Sequence, residues 1–449
     1  MSIDISAHAP VVAAGAARPS LAERRRTAIR GAFFSEFIDM FDIYLPVVVL
    51  APVLFYFQPA HLDPATAAIL GSLVFITTLL GRPVGSLIFG IVADRIGRRL
   101  ASIYSVAGFG IITFLIALLP GYRSIGFSSY LLLVLLRFLD GICLGGGYTG
   151  AHPLAIEYAE KQSRGFVGGL IIAAFPAAYV AITLVAMAMF ALFPTGGPDS
   201  PYVQWGWRIP FVIGAVLAFV LALYYVFKVS ESEIWTTETK GEQKPLPLSD
   251  LLRGRSLRSL LQVLIMMTGF WTTQNIITIF MPSTLLLHVL HLSKYELTFT
   301  LLIAYGCLFF SYIGAGVLSQ KFGRRRTFVI LGPLIATVGA GILYALTNGT
   351  GLSLPAIILL VCLLSILVTA PWGVIITYIN ERFVTDVRAT GFGVGFSLSV
   401  IIPSFYAFYV NWLSRIFSFH LAPAVLLCIG GVIATIGAAM GPETKDVDF

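Results

Sequence analysis

Gly90-Ile-Val-Ala-Asp94-Arg95-Ile-Gly97-Arg98-Arg99 joins two long apolar runs with one acid, one tight-turn glycine and three guanidinium groups. A string this polar has no place in hydrocarbon, so it reads as a short hinge between two membrane helices. A weaker copy, Gly316-Val-Leu-Ser-Gln320-Lys321-Phe-Gly323-Arg324-Arg325, returns about half a chain later. Repetition at that offset implies two homologous halves, each hinged after its second helix. Gly90, Asp94, Arg95, Gly97, Arg98 and Arg99 in the first copy, with Gly316, Gly323 and Arg324 in the second, are candidate gating residues. Gln320 stands where the first copy has Asp94, so the second hinge has lost its acid. Asp94 is expected to cap a neighbouring helix and to pair with basic groups when its face of the molecule is closed.

Bulk composition agrees with a membrane protein. Of 449 residues, 57% are apolar and 11% charged, and the mean hydropathy is +0.89, which excludes an ordinary soluble fold. Cys143, Cys307, Cys362 and Cys428 all fall inside apolar runs without a C-x-x-C pair, so they read as small hydrophobes rather than disulfides or metal ligands. His288 and His291 have helical metal spacing but no further ligands, and read as surface histidines. No metal and no cofactor are expected.

A spanning helix needs about 20 apolar residues. Twelve such runs are present, near 31–57, 66–92, 100–119, 129–154, 165–193, 208–228, 257–287, 296–319, 327–346, 354–380, 389–414 and 420–441. The charge distribution tests that count. With a cytoplasmic N-terminus, the tails and the loops after even-numbered helices hold 23 of the 29 Lys and Arg. Shifting one boundary would reverse every later loop and destroy the asymmetry. The net charge of +7 is therefore topological, and no nucleic-acid partner is implied. The expected organisation is all-α: a disordered cytoplasmic tail over 1–30, a six-helix bundle over 31–228, a cytoplasmic linker over 229–256, a second six-helix bundle over 257–441 and a cytoplasmic tail over 442–449. The linker's Ser230-Glu231-Ser232-Glu233 and Pro245-Leu-Pro247 suit a polar connection.

Charged groups inside the apolar runs carry the functional signal. Glu36, Asp39 and Asp42 lie in helix 1, Arg82 in helix 2, and Arg137 and Asp140 in helix 4. Each costs ~2.5–3.5 kcal/mol at mid-helix unless paired or wetted. Counted from the cytoplasmic helix ends at ~1.5 Å per residue, Asp42, Arg82 and Asp140 lie about 15–21 Å deep, so three helices bring charge to a similar level. Four acids face two arginines there, and uncompensated carboxylates in low dielectric take up protons. Glu36, Asp39, Asp42 and Asp140 are therefore candidate proton-coupling groups. Arg137 and Asp140, three apart on one helix face, also suit a purely structural pair. Arg82 has no local acid and sits in Gly81-Arg82-Pro83, where a kink opens backbone toward a cavity, so it is the first candidate for an anionic substrate and Arg137 the second. The second half has no charge at mid-membrane and offers Gln274, Asn275, Tyr305, Trp372 and Tyr378 as a neutral substrate-binding wall. Trp271 and Trp372 suit stacking on an unsaturated substrate.

The hinge string resembles the loop signature of the major facilitator superfamily. A narrower resemblance, to its metabolite:proton symporters, rests on Glu36-Phe-Ile-Asp39, Gly81-Arg82-Pro83-Val-Gly85, Arg137-Phe-Leu-Asp140-Gly141, Glu157-Tyr158, Arg164-Gly165, Trp205-Gly-Trp207-Arg208 and Val387-Arg388-Ala-Thr-Gly391. The resemblance implies a fold of twelve helices in two pseudo-symmetric bundles with a solute path between them. It implies symport of a small carboxylate such as 2-oxoglutarate, citrate or shikimate, or of a zwitterion such as proline or betaine, with a proton. This chain departs from the family pattern at Gly147, where a Glu is common, and at Asp140, where a Gln is common. Its additional Asp42 looks more like the sialic-acid or aromatic-acid branches.

The expectation is a proton-coupled importer of a small organic carboxylate, working as a monomer in the lipid of a bacterial inner membrane. A zwitterion importer is the close rival. A proton-antiport exporter is a rival mechanism, disfavoured because helix 5 lacks a Gly-Pro-Gly-Gly-like signature. A receptor would need a signalling domain and an enzyme a nucleophile, base or metal cluster, and neither is visible in the sequence.

Overall fold

Helix 1 is apolar enough to span a bilayer and carries its first polar cap at Ser20, whose hydroxyl accepts a hydrogen bond from the Glu23 amide at 3.2 Å. In the computed structural model, which describes residues 19–59, 62, 64–239, 247–349 and 351–449, this helix begins at Leu21. Residues 21–30 are thus helical, where a disordered tail over 1–30 was expected; residues 1–18 lie outside the described ones. The expected linker over 229–256 also carries two short helices, Glu233–Thr239 and Pro247–Leu251, while 240–246 lie outside the described residues.

Twelve helical segments among the described residues are long and apolar enough to cross a membrane. They are α1 Leu21–Phe57, α2 Leu73–Ile96, α3 Arg98–Ala117, α4 Ser128–Tyr158, α5 Lys161–Leu192 and α6 Tyr202–Lys228, then α7 Gly254–Val289, α8 Tyr295–Phe322, α9 Arg324–Thr347, α10 Leu354–Arg382, α11 Thr385–Leu413 and α12 Ala422–Ala439. No strand occurs among the described residues. Phe227, Phe310 and Leu192 stand about three-quarters exposed on the outer surface, a placement that lipid tolerates and water does not.

Packing follows the sequence repeat. In the first half α2 and α3 pack on α4, and α3 on α6; in the second, α7 and α9 pack on α12, and α8 on α10. The halves meet along α2 with α11 and along α5 with α8. Small residues set the closest crossing: a Cβ on Gly141 would overlap the Thr78 carbonyl, and one on Gly85 the Ile142 carbonyl. Backbones of α2 and α4 therefore touch directly, as membrane helices do where glycines face each other.

α1 and α7 change character partway. Regular α-helix in α1 ends at Leu45 and gives way to a wide turn over Pro46–Leu50 and a tight one over Ala51–Phe57. In α7 it ends at Asn275, and wide turns run over Ile276–Val289 around Pro282. Proline removes a backbone donor and crowds the preceding turn, so the ladder is re-paired at a different pitch. Both irregular stretches lie on the side opposite the two hinges.

Candidate functional site

The acids of α1 stand three residues apart, which places them on one face of the helix. Each meets a basic side chain from another helix. The Glu36 carboxylate lies 3.3 Å from His152 Nε2 on α4. Asp39 accepts a hydrogen bond from Arg82 Nη2 on α2 at 2.6 Å. Asp42 accepts from Arg137 Nη1 on α4 at 2.9 Å and from Thr113 Oγ1 on α3 at 2.8 Å. Asp140 lies 2.8 Å from the same Arg137 nitrogen. All of these groups are buried, which in low dielectric is tolerable only because the charges are paired.

Arg82, which has no acid on its own helix, thus meets one that the fold brings from α1. Its guanidinium also lies 4.9 Å from the Tyr148 ring centroid, a cation–π contact. The Tyr148 hydroxyl bonds to Ser86 on α2 at 2.8 Å and to Ser397 on α11, so the arginine's support reaches into the other half.

A cavity lies between the halves, lined by α1, α2 and α5 on one side and by α7, α8, α10 and α11 on the other. Glu36 and Arg82 supply its charges, and Gln274, Asn275 and Thr278 its neutral polar atoms. Tyr44, Phe75, Phe175, Trp271, Tyr312, Trp372 and Phe396 make about half of the remaining wall aromatic. Of the substrate-binding residues expected from sequence, Arg82, Gln274, Asn275 and Trp372 line this space. Tyr305 does not; it stacks on Tyr179 with ring centroids 4.0 Å apart. Tyr378 is remote, packed on Phe328 at 5.3 Å and reaching Gln262 at 3.4 Å. Arg137, expected as the second substrate arginine, also lies off the cavity, where it meets Asp42 of α1 and Asp140 of α4. Sequence reading missed His152, Tyr44 and Tyr312. The signal available for His152 was the three-residue spacing of the α1 acids, which calls for a series of partners.

Between the cavity and the hinges the halves are clamped. Asp94 accepts hydrogen bonds from the amides of Ala389 and Thr390, at 3.2 and 2.9 Å, and from Thr390 Oγ1 at 2.6 Å. A carboxylate on these orphan amides complements the dipole of the helix beginning at Arg388. Arg98 lies 3.3 Å from Asp94 and 3.4 Å from Glu157, and donates to the Thr385 carbonyl at 2.7 Å. Arg388 pairs with Glu157 at 2.7 Å. Gly97 holds φ at +111°, a backbone state that favours glycine, and lets Glu231 accept from the amides of Arg98 and Arg99 at 3.0 and 3.1 Å. Burial pushes the Glu231 carboxyl above its ordinary range, against the lowering effect of those amides. Arg99 ties the hinge to the Tyr225 carbonyl at 3.0 Å, whereas Arg95 is exposed and outside this clamp. Gly90 meets Thr390 backbone to backbone.

The second hinge repeats the arrangement without the acid. Gln320 Oε1 accepts from the Gly165 amide at 3.2 Å, as Asp94 does from α11, and Arg324 pairs with Glu381 at 3.4 Å. Gly323, with φ at +102°, lets Glu443 accept from the Arg324 amide at 2.7 Å. Gly316 approaches the Gly165 backbone so closely that neither tolerates a Cβ.

Residues 32–407 match the model of the Major Facilitator Superfamily. The chain belongs to that superfamily. A superfamily member of known structure, the proton:xylose symporter XylE bound to 6-bromo-6-deoxy-D-glucose, superimposes with a TM-score of 0.75 over 95% of this chain and 97% of that one, at 18% identity, which establishes the shared fold. Among curated relatives, the inner membrane metabolite transport protein YhjE of Escherichia coli (strain K12) is 30% identical over 417 residues, covering 91% of this chain and 92% of that protein. The alpha-ketoglutarate permease of the same organism is 30% identical over 386 residues, covering 84% of each. A proline/betaine transporter of Salmonella typhimurium (strain LT2) is 28% identical over 431 residues, 94% of this chain and 83% of that protein. The protein is thus a multi-pass membrane transporter of small molecules, and not an enzyme.

Proposed function

We propose that the protein imports a small organic carboxylate together with a proton, by alternating access across a bacterial inner membrane. The observation that carries this reading is the Arg82–Asp39 pair at the edge of the cavity. A substrate carboxylate and Asp39 compete for one guanidinium. With Asp39 ionised the arginine is already satisfied; a proton on Asp39 frees the fork for a bidentate contact with substrate. Binding of substrate and binding of proton then favour each other, which is the thermodynamic requirement for symport.

Positive charge concentrated at the hinges supports placing that face in the cytoplasm. The clamp at Asp94, Glu157 and Arg388 closes it, so substrate would enter from the opposite face and leave once the clamp opens. Asp42 and Asp140, sharing Arg137 away from the cavity, fit an anchoring role better than a coupling one. A zwitterion such as betaine or proline is the second reading. It is favoured by Glu36 on the same cavity as Arg82, where it would face an ammonium group within an aromatic wall. Similarity to a proline/betaine transporter supports it equally with the permease likeness.

The test is uptake into proteoliposomes driven by an inward proton gradient, with labelled 2-oxoglutarate and labelled glycine betaine as probes and a panel of acids and osmolytes as competitors. Competition by carboxylates lacking an ammonium group establishes the first reading. Competition restricted to zwitterions establishes the second.

A further inference from the structure

His152 is the one basic partner of the α1 acids that the mechanism above leaves unused. It is completely buried, and neither ring nitrogen has a hydrogen-bond partner among the described residues. Its Nε2 stands 3.3 Å from Glu36, and Glu36 lines the cavity. The other face of the ring is closed by Phe392, edge-on at 5.6 Å between centroids. Phe392 belongs to α11, in the opposite half. It sits one turn from Ala389 and Thr390, the amides that Asp94 caps. If the clamp opens by moving the start of α11 away from α2 and α4, Phe392 would move with it and leave His152 covered by Tyr148 alone of these two rings.

We propose that Glu36 and His152 form a second proton-binding pair, which loads from the cavity and discharges to the hinge face. A proton reaching the Glu36 carboxyl from the cavity moves to His152 Nε2, leaving a carboxylate and an imidazolium in contact. Loss of a ring proton to water follows when Phe392 withdraws and regenerates the neutral ring. The remaining charged and titratable groups around the pair are committed. Asp39 and Arg82 hold each other, with Tyr148 beneath the guanidinium; Tyr44 and Tyr312 line the same cavity as Glu36; Glu157 and Arg388 are bonded to one another nearer the hinge. Histidine is the side chain whose charge changes most readily near neutral pH, and an intramembrane ionisable group marks a proton path unless its pairing explains it otherwise.

The inference rests on the proton-coupled reading, and its test is separable from that reading because it needs no substrate. The full-length protein, labelled with ¹⁵N-histidine in lipid nanodiscs, is followed by nuclear magnetic resonance from pH 5 to 8. The chain has six histidines, so the His152 signal is assigned by its loss in His152→Gln. The expected result is a His152 signal that moves toward the imidazolium form on acidification and moves less in Glu36→Gln, because the carboxylate that stabilises the charge is gone. Phe392→Ala, which uncovers the ring, should accelerate proton exchange at this signal alone. If His152→Gln fails to fold, the signal that responds to both Glu36→Gln and Phe392→Ala identifies the ring. A His152 that stays neutral throughout, or one indifferent to Glu36→Gln, overturns the proposal. Should His152 titrate as expected while Asp39→Asn still accumulates substrate uphill, the pair stands and the Asp39 reading fails; the opposite combination has the opposite meaning.

Discussion

Arg82 has Asp39 as its anionic partner, so a substrate carboxylate reaches the guanidinium only when that partner gives way. Charge-assisted hydrogen bonds contribute about 1.5–3 kcal/mol each, so Arg82→Ala should weaken binding about 10- to 100-fold. Arg82→Lys keeps the charge, loses the fork, and should fall between. Arg82→Ala also leaves Asp39 buried and unpaired at a cost of about 3–5 kcal/mol, whereas Arg82→Ala with Asp39→Asn should recover much of that stability. Thermal unfolding in detergent, run with and without the acid and osmolyte panel, reads both effects; unchanged affinity in Arg82→Ala would move the anion site elsewhere. Arg137 makes a contrasting case. Arg137→Met strands Asp42 and Asp140 together and should unfold the first half at markedly lower temperature, while Asp140→Asn relieves the cluster and should leave uphill uptake intact. Loss of uphill uptake in Asp140→Asn would return that acid to the coupling path. The sequence displayed Arg137–Asp140 because partners three apart on a helix are visible in one dimension. It hid Arg82–Asp39 and Glu36–His152, whose partners lie on different helices and meet only through the crossing of α1, α2 and α4.

At the scale of elements, the hinge was readable because its chemistry is local: a glycine with positive φ, an acid before it and an arginine after it. What the string does lay outside it. Asp94 caps the start of α11, and Gln320 does the same for α5 with a neutral amide. Asp94→Asn would make the two hinges alike. It retains one acceptor for the α11 amides but loses the charge that Arg98 meets, a weakening of about 1.5 kcal/mol, or roughly tenfold in the ratio of closed to open hinge face. Transport should slow while substrate still binds. Wild-type counterflow in that variant would reduce the motif to a topological signal. The irregular ends of α1 and α7 were less legible. Wide turns beginning at the level of the cavity, around Pro46 and Pro282, depend on how neighbouring helices re-pair the backbone.

For the whole molecule, twelve apolar runs and an alternating charge count were enough for the architecture, because a bilayer allows few ways to satisfy a backbone. The seam between the halves was not. It depends on glycine contacts such as Gly165 with Gly316 and on the α2–α11 and α5–α8 pairings, none of which leaves a periodic trace in the sequence. In the structure the hinge face is clamped, with Glu36, Asp39 and Arg82 inside, so the central claim is an exchange: a proton on Asp39 for a carboxylate on Arg82. An amide at position 39 mimics the protonated acid permanently. Its consequence is measured by comparing proton-driven accumulation with substrate counterflow, in proteoliposomes carrying wild type or Asp39→Asn. The account predicts that Asp39→Asn retains counterflow and loses accumulation against a gradient; accumulation at the wild-type level would contradict it.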